Sequence, residues 1–379
     1  MLGLEAITLL IVKKTNPDLD YDPQEIKIDA DRITRSNVIG QFIQFDSKFY
    51  MNDDLFVLAG FMGDISFSGS TFEAEYTFNP QNDREAQERN RYLRADPELG
   101  IGFGRVRNIG PQIRAIRLNE RYSAITNSNL TSDEIIASAE QFTKASSYPK
   151  TKDRSRKYFW SDMNQELSGK LDEISAYDIF YLDDVFSENI GQRLEGFDVL
   201  LSGKFAYYNR LNRDEETTNI SDNVMRDLLI RKRVDAYSQI RWYKNLDLNH
   251  QLGFVSQHRI AFPLEKDEEL EMDIDMIAQF SWLWTITDRY LLETSFNNHY
   301  EKPVFKERIF NERQYQFQSY VRSALTYFIE NRLSLTGRVL LGFDKDRQDN
   351  RNQDLQTTTN SFRWQASFNL RYYFDRNLY

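Results

Sequence analysis

From Ser361 to Phe374 the chain alternates without a break. Phe362, Trp364, Ala366, Phe368, Leu370, Tyr372 and Phe374 fall on one side, and Ser361, Arg363, Gln365, Ser367, Asn369, Arg371 and Tyr373 on the other. Only a β-strand, with its period of two, sorts side chains in this way. The pattern recurs upstream. Leu270, Met272, Ile274, Met276, Ala278, Phe280, Trp282 and Trp284 oppose Glu271, Asp273, Asp275, Gln279 and Ser281. Val234, Ala236, Ser238, Ile240 and Trp242 oppose Arg233, Asp235, Gln239 and Arg241. Residues 195–374 hold eight such runs. Residues 37–78 hold three more, read as a meander with turns at Asn52-Asp53-Asp54 and Ser68-Gly69-Ser70. Residues 79–98 are strongly polar and read as a long loop or short helix. Residues 1–36 alternate only weakly, at Ile7, Leu9 and Ile11.

Between residues 108 and 190 the apolar period becomes helical. Pro111 suits a first helical position ahead of Ile113, Ile116 and Tyr122. Thr131-Ser132-Asp133-Glu134 is a capping box before Ile135, Ile136, Ala139 and Phe142. A third helical segment, from Asp153 to about Leu171, holds Tyr158, Phe159, Trp160 and Met163. The chain thus divides into an N-terminal segment with the first strands (1–107), a helical insert (108–194) and the C-terminal eight strands (195–379).

Two architectures use long alternating antiparallel strands, a soluble sandwich or barrel and a transmembrane barrel. Several runs last 13 residues or more, whereas soluble strands average about 5–6 residues and membrane strands need about 9–11. Connections alternate between tight (Tyr243-Lys244-Asn245, Thr287-Asp288, Glu330-Asn331) and long and polar (209–224, 263–269, 302–313, 345–360). Short periplasmic turns and longer external loops alternate in this way. Consecutive hairpins leave no second sheet to cover the apolar face. Closure would remove the sheet edges that a bilayer cannot tolerate. The reading is an all-β membrane protein, an antiparallel transmembrane β-barrel of about 12 strands with a helical periplasmic or luminal insert.

The bulk numbers are consistent with this. Aromatic residues make up 14% of the chain, suiting strands and interfacial girdles. The net charge of −10 argues against general nucleic-acid binding, which needs a basic surface. The absence of cysteine excludes thiol catalysis, thiolate zinc and disulfides. No apolar run is long enough for a transmembrane helix. In the opening stretch, Lys13 and Lys14 follow the apolar run instead of preceding it. That makes a poor signal peptide, and the chain is expected to start after processing.

These strands resemble those of bacterial outer-membrane β-barrel proteins over residues 37–78 and 195–374. The most specific motif is the last strand, where Ala366, Phe368, Leu370, Tyr372 and Phe374 resemble the C-terminal aromatic signal presented to the barrel-assembly machinery. The tail Asp375-Arg376-Asn377-Leu378-Tyr379 departs from it. The resemblance implies a location in the outer membrane of a Gram-negative envelope, with outer-membrane lipid and the assembly machinery as partners.

Candidate chemistry is sparse. The inward face carries Arg233, Asp235, Arg241, Arg259, Glu271, Asp273, Asp275, Arg289, Arg322, Arg338, Arg363 and Arg371, read as lumen-lining residues. Opposite charges there stabilise strand pairing or set an ion field. His299 shares a face with Ser295 and Glu293, the residue types of a hydrolase, but two alternate positions separate it from Ser295 along the strand. His250 and His258 are expected on the apolar face near its ends. Asp18, Asp20 and Asp22 imitate a calcium loop, but Pro23 stands where Gly is needed. No nucleophile elbow, phosphate loop or HExxH motif occurs. No cofactor, metal or catalytic residue is expected. Tyr158, Phe159 and Trp160 are the candidate plug or docking anchor, through which the insert would meet periplasmic or envelope proteins. The expected function is a porin-like channel or export component, with a structural scaffold as the alternative and an outer-membrane hydrolase third.

Overall fold

The computed structural model describes residues 2–15, 30–76, 83–218, 221–265, 270–287, 289–306, 312–330, 333–350 and 355–372. Twelve strands form one antiparallel sheet in which every strand pairs with its sequence neighbours. They are β1 (Leu2–Thr15), β2 (Ala30–Tyr50), β3 (Leu55–Tyr76), β4 (Arg84–Asn108), β5 (Leu194–Thr218), β6 (Asp222–Asn245), β7 (His250–Pro263), β8 (Leu270–Thr287), β9 (Tyr290–Phe305), β10 (Glu312–Glu330), β11 (Leu333–Asn350) and β12 (Leu355–Tyr372). The helices lie between β4 and β5: α1 (Gly110–Thr126), α2 (Ser132–Lys144), α3 (Tyr148–Thr151), α4 (Ser155–Glu166) and α5 (Ala176–Ser187). The insert therefore stands at the short-turn end of the sheet.

Local chemistry sets the tight turns. In the β2–β3 turn the Asn52 side chain accepts from Asp54 N at 3.1 Å and Leu55 N at 2.6 Å. In the β6–β7 turn Asp247 accepts from Asn249 N and His250 N, both at 2.7 Å. Asx side chains mimic backbone turns in this way.

Two expectations about the N-terminal strands are corrected. Ser68-Gly69-Ser70 is no turn, because Gly69 pairs with Asn37 on one side and Arg89 on the other inside a continuous β3. Residues 84–98 are neither loop nor helix but the first part of β4. Up to Arg91 it is polar on both faces and is held by ladder bonds and charge pairs such as Arg84–Glu216 (2.8 Å), so it offers no apolar alternation there. Residues 209–218 and 345–350, expected in loops, likewise extend β5 and β11. The acidic segment 16–23 and Phe374 lie outside the described residues.

The large apolar side chains point out of the sheet. Leu99 is 68% exposed, Ile101 62%, Trp364 71% and Phe368 82%. On β4 the apolar row runs from Phe103 to Leu93, and on β12 from Tyr372 to Phe362, a span of ten residue steps each. At about 3.3 Å per residue that is about 33 Å along the strand, or about 25 Å vertically at the usual tilt of about 40°. This matches the hydrocarbon band of an outer-membrane barrel. His250 stacks at 5.2 Å on Trp284, which stacks at 5.5 Å on Trp282, and Tyr290 stacks on Tyr327 at 4.6 Å. These pairs mark the short-turn rim of the band, where amphipathic rings belong.

Closure is not seen. Among the described residues β12 pairs with β11 alone and β1 with β2 alone, and every residue from Gln356 to Tyr372 is exposed. Among the described residues the sheet therefore ends at β1 and at β12. Its even strand count still brings β1 and β12 to those edges in antiparallel sense.

Candidate functional site: the inner wall and the docked insert

The inner face is tightest at β2–β5, where glycines thin the wall. Gly100-Ile101-Gly102-Phe103-Gly104 places three glycines on the inner face of β4. A Cβ on Gly102 would lie 2.2 Å from the Phe56 ring and 2.6 Å from the Val199 carbonyl oxygen. Gly104 has φ +90°, a left-handed conformation that side chains resist. Over this smooth strip Phe56 packs fully buried with Leu58 and Leu200. Lys48 of β2 lies over the Phe56 ring (4.4 Å) and reaches Asp198 of β5 at 3.1 Å, three strands away.

A paired charge ladder continues from there. Asp198, 1% exposed, also accepts from Arg241 Nε at 2.8 Å. Asp96 is held by Arg94 at 2.7 Å and Lys204 at 3.0 Å. Arg233 meets Asp235 at 2.7 Å. Arg259 bridges Asp273 at 3.0 Å and Asp275 at 3.2 Å, and His299 Nε2 lies 3.1 Å from Asp275. His299 thus belongs to a carboxylate cluster, while Ser295 accepts from Asn297 at 3.0 Å, so the hydrolase trio is not assembled. Buried charges persist when paired and hydrogen-bonded, as here.

The wall at β10–β12 differs. Arg322, Arg338 and Arg363 line one cavity of about 460 Å³ with Tyr320 and Gln365. Arg363 meets Asp344 at 3.4 Å. Among the described residues Arg322 and Arg338 have no ion-pair partner. They also line, with Glu293 and Gln192, a second cavity of about 380 Å³ below the insert. Three of the expected lining residues stand near strand ends. Arg289 sits exposed in the β8–β9 turn, and Glu271 is exposed at a bulge where pairing skips from Leu270 to Met272. Arg371 is exposed near the end of β12.

The insert has its own core. Phe159 is fully buried against Phe142, Tyr148, Trp160 and Phe186 at ring distances of 4.8–5.6 Å. Trp160 is half-buried and donates to Asp183 at 2.6 Å, and Tyr158 is exposed beneath the Lys152 ammonium. The aromatic triplet is therefore divided, with one residue at the insert's hub and one facing outward. The capping box forms as expected, Thr131 N donating to Glu134 at 2.7 Å and Glu134 N to the Thr131 hydroxyl at 3.3 Å.

Four arginines brace the insert, and two of them, Arg117 and Arg193, fasten it to the sheet. Arg114 of α1 donates to the Val185, Phe186 and Glu188 carbonyls at 2.5–2.9 Å, capping the exposed carbonyl end of α5. Arg117 and Arg121 pair with Glu188, and Arg117 also reaches Asn249 in the β6–β7 turn at 3.1 Å. Arg193 is fully buried. It donates to the carbonyls of Ile190 (2.9 Å) and Asn249 (3.0 Å) and to the Thr285 hydroxyl of β8 (2.6 Å). Burial, with the Arg117 charge nearby, lowers its pKa to about 10, so it stays cationic at neutral pH. Gly191 (φ +67°) lies against Leu283 on the inner wall of β8. The insert's exit strap thus runs along the inside of the sheet.

Sequence reasoning missed Arg193, Lys48, Arg94, Asp96 and Lys204. Arg193 belongs to no periodic run. Arg94 and Asp96 lie in the segment read as a loop.

No family model and no characterised protein sequence matches the chain. Similar solved structures include OmpT, an outer membrane protein of Vibrio cholerae, at 8% identity over 98% of this chain and 96% of that one, with a TM-score of 0.30. The transport unit of the autotransporter AIDA-I from Escherichia coli matches at 10% identity over 95% of each chain, TM-score 0.26. The beta domain of the Bordetella autotransporter Brka matches at 5% identity over 98% and 99%, TM-score 0.23. Superpositions this loose add nothing to the strand order, the apolar band and the charged inner face. On those three features the chain has the antiparallel strand arrangement of bacterial outer-membrane β-barrel proteins, open between β1 and β12 among the described residues, with an apolar belt of the height that such a membrane requires.

Proposed function

We propose that the chain is an outer-membrane barrel that passes a solute or polymer, with the helical insert controlling its periplasmic mouth. The supporting observation is the exit strap at Ile190–Arg193, buried against Leu283 and Thr285 on the inner wall. A segment tied to the inside of a barrel narrows the path along it. In the bilayer β12 and β1 are proposed to meet, since unpaired backbone groups are costly in hydrocarbon. Lipid and the barrel-assembly machinery, the latter through the β12 edge, are the proposed partners.

The reading is non-enzymatic. What supports this is that His299 is engaged by Asp275 and not by Ser295. The test is single-channel recording in planar bilayers. Full-length protein should conduct, and replacing residues 110–188 by a short linker should raise the open conductance. No conductance in either form, with the barrel folded, would overturn the channel.

One observation favours the scaffold alternative. On α5, Tyr177 is 88% exposed and Phe180 71% exposed on adjoining turns. A scaffold predicts no conductance and a partner, released by Phe180→Ser, that co-purifies with the full chain.

A further inference from the structure

Above the apolar band the outer face of β2–β5 changes character within one residue pair. Three rungs follow from the strand register. The lowest contains Ile39, Phe67, Arg91 and Leu211; the next contains Asn37, Gly69, Arg89 and Arg213; the third contains Arg35, Thr71, Gln87 and Glu215. Successive rungs stand about 7 Å apart. The first is the top of the lipid-facing row, because Leu93 on β4 is the last apolar residue before Arg91.

The rungs enclose a groove of about 860 Å³. Gly69 forms its floor, and a side chain there would press the Asn37 amide oxygen at 2.8 Å. Ile39, Phe67 and Leu211 line the lower end and four arginines the upper. Arg35 is offset by Glu73 at 3.2 Å, and Arg213 is paired with Glu215. Arg89 and Arg91 meet only neutral amides among the described residues, Gln87 at 2.8 Å and Asn209 at 3.5 Å. The Arg213 Nε is buried without a hydrogen-bond partner. The groove thus holds two uncompensated guanidinium groups and an unsatisfied donor directly above a greasy slot.

We propose that this groove binds a phosphate-bearing lipid of the external leaflet, its acyl chain along Ile39, Phe67 and Leu211 and its phosphate between Arg89, Arg91 and Arg213. The inference rests on the membrane reading, which places the first rung at the hydrocarbon boundary. Three features carry it: continuity with the lipid-facing band, charge complementarity, and a guanidinium fork suited to phosphate oxygens. An inward-facing solute is excluded as occupant, because the rungs lie on the opposite face from Asp96 and Asp198.

The test uses the full chain in detergent micelles, titrated with a diphosphorylated, acylated glucosamine disaccharide and with its dephosphorylated form, and read by native mass spectrometry. The phosphorylated lipid should bind about tenfold tighter, and Arg89→Gln with Arg91→Gln should erase that difference. Lys345→Gln, also on the outer face but outside the groove, should leave it unchanged. If the paired variant does not give the heat-modifiable folded band, Arg213→Gln alone replaces it. Equal binding of the two lipids, or no loss in the folded variants, overturns the proposal. Full competition by equimolar inorganic phosphate also overturns it, since it would mark a site for free phosphate. If the wild-type chain neither enters detergent nor shows heat-modifiable migration, the membrane reading itself has failed.

Discussion

Arg193 donates to the Thr285 hydroxyl at 2.6 Å, joining the last residue before β5 to the inner wall of β8 across three intervening strands' worth of sequence. The contact ties the insert into the sheet wall, and it is made by a cation with no exposed surface. Hydrogen bonds to a charged group contribute about 1.5–3 kcal/mol each, and Arg193 makes three. Arg193→Ala should therefore release the strap while the sheet stays folded. Limited trypsin digestion should cut within residues 109–193 at least about tenfold faster, a loss of about 1.4 kcal/mol or more in local protection. Arg193→Lys should not restore protection, because a lysine head cannot span Ile190, Asn249 and Thr285 at once. An unchanged digestion pattern would show that the strap is held by other contacts.

Gly102 and Phe56 form a pair in which each explains the other. Phe56 is fully buried only because β4 offers no side chain at position 102. Gly102→Ala should destabilise the barrel by about 1–3 kcal/mol, the usual cost of overpacking. Adding Phe56→Ala should recover only part, since the Val199 carbonyl oxygen, 2.6 Å from the added Cβ, is backbone and cannot move aside. The midpoint of urea unfolding in detergent, followed by tryptophan fluorescence, checks both variants. Complete recovery in the double variant would mean that the ring alone sets the constraint.

What was legible follows from where burial acts. In β8 and β12 one face meets lipid and the other a charged interior, so the alternation is complete and the strands can be read directly. The capping box at Thr131 was equally plain, because its partners are three residues apart. The early part of β4 was not, because Arg84, Glu88 and Arg89 stand above the hydrocarbon, where neither face needs to be apolar. The same physics hid the continuation of β5 past Asn209. The Gly100-Gly102-Gly104 spacing was visible but mute, since its reason is the Phe56 ring, about 46 positions away in sequence. Arg193 could not be found from pattern at all. Its role comes from Asn249 and Thr285, which only the fold brings near. Of the triplet Tyr158, Phe159 and Trp160, the sequence shows aromatic weight but not which ring the helix turns inward.

Phe159 is the ring turned inward. It touches four other aromatic rings at the centre of the insert. Phe159→Ala should cost the insert about 3–5 kcal/mol, enough to unfold a domain of ordinary marginal stability. The expected outcome is loss of helical circular dichroism at 222 nm with retention of the heat-modifiable barrel band. Tyr158→Ala, on the exposed side, should change neither.

The insert should also respond to acid. The Lys170 ammonium, at 2.8 Å, and the Thr131 backbone N–H hold the Glu134 carboxyl below its ordinary value of 4.5. A depressed carboxyl contributes stability that is present above the unfolded value and is lost as pH falls through the folded one. The Lys170 side chain is about one-third exposed, so solvent screens the pair and the effect is small. The melting temperature of the helical signal should stay flat from pH 7 to about 5 and fall below about 4.5, and Glu134→Gln should flatten that limb. The Lys170 side moves the other way, since its pKa is raised by Glu134 and its contribution fades only above 10.5. An acid limb that persists unchanged in Glu134→Gln would assign it to other carboxylates.

Ion preference is where the two walls of the interior part company. From β2 to β8 the carboxylates Asp96, Asp198, Asp235, Asp273 and Asp275 all have cationic partners, so the cations of that wall are compensated by them. On β10 and β11, Arg322 and Arg338 have none among the described residues. A path past them should favour anions. A unit charge about 8 Å from an ion in water contributes about 0.5 kcal/mol, a factor of about two, so two of them give about fivefold. Because the same charges attract chloride and repel potassium, Arg322→Gln with Arg338→Gln should lower the chloride-to-potassium permeability ratio by up to about the square of that factor, roughly 25-fold, read as a shift in reversal potential across a salt gradient. The difference should shrink at 1 M salt, where the screening length is about 3 Å. Replacing Arg241, whose charge is already spent on Asp198, should open no comparable preference for anions and should instead draw cations toward the uncovered carboxylate. A ratio unmoved by the paired substitution would mean that conducted ions do not pass the β10–β11 wall.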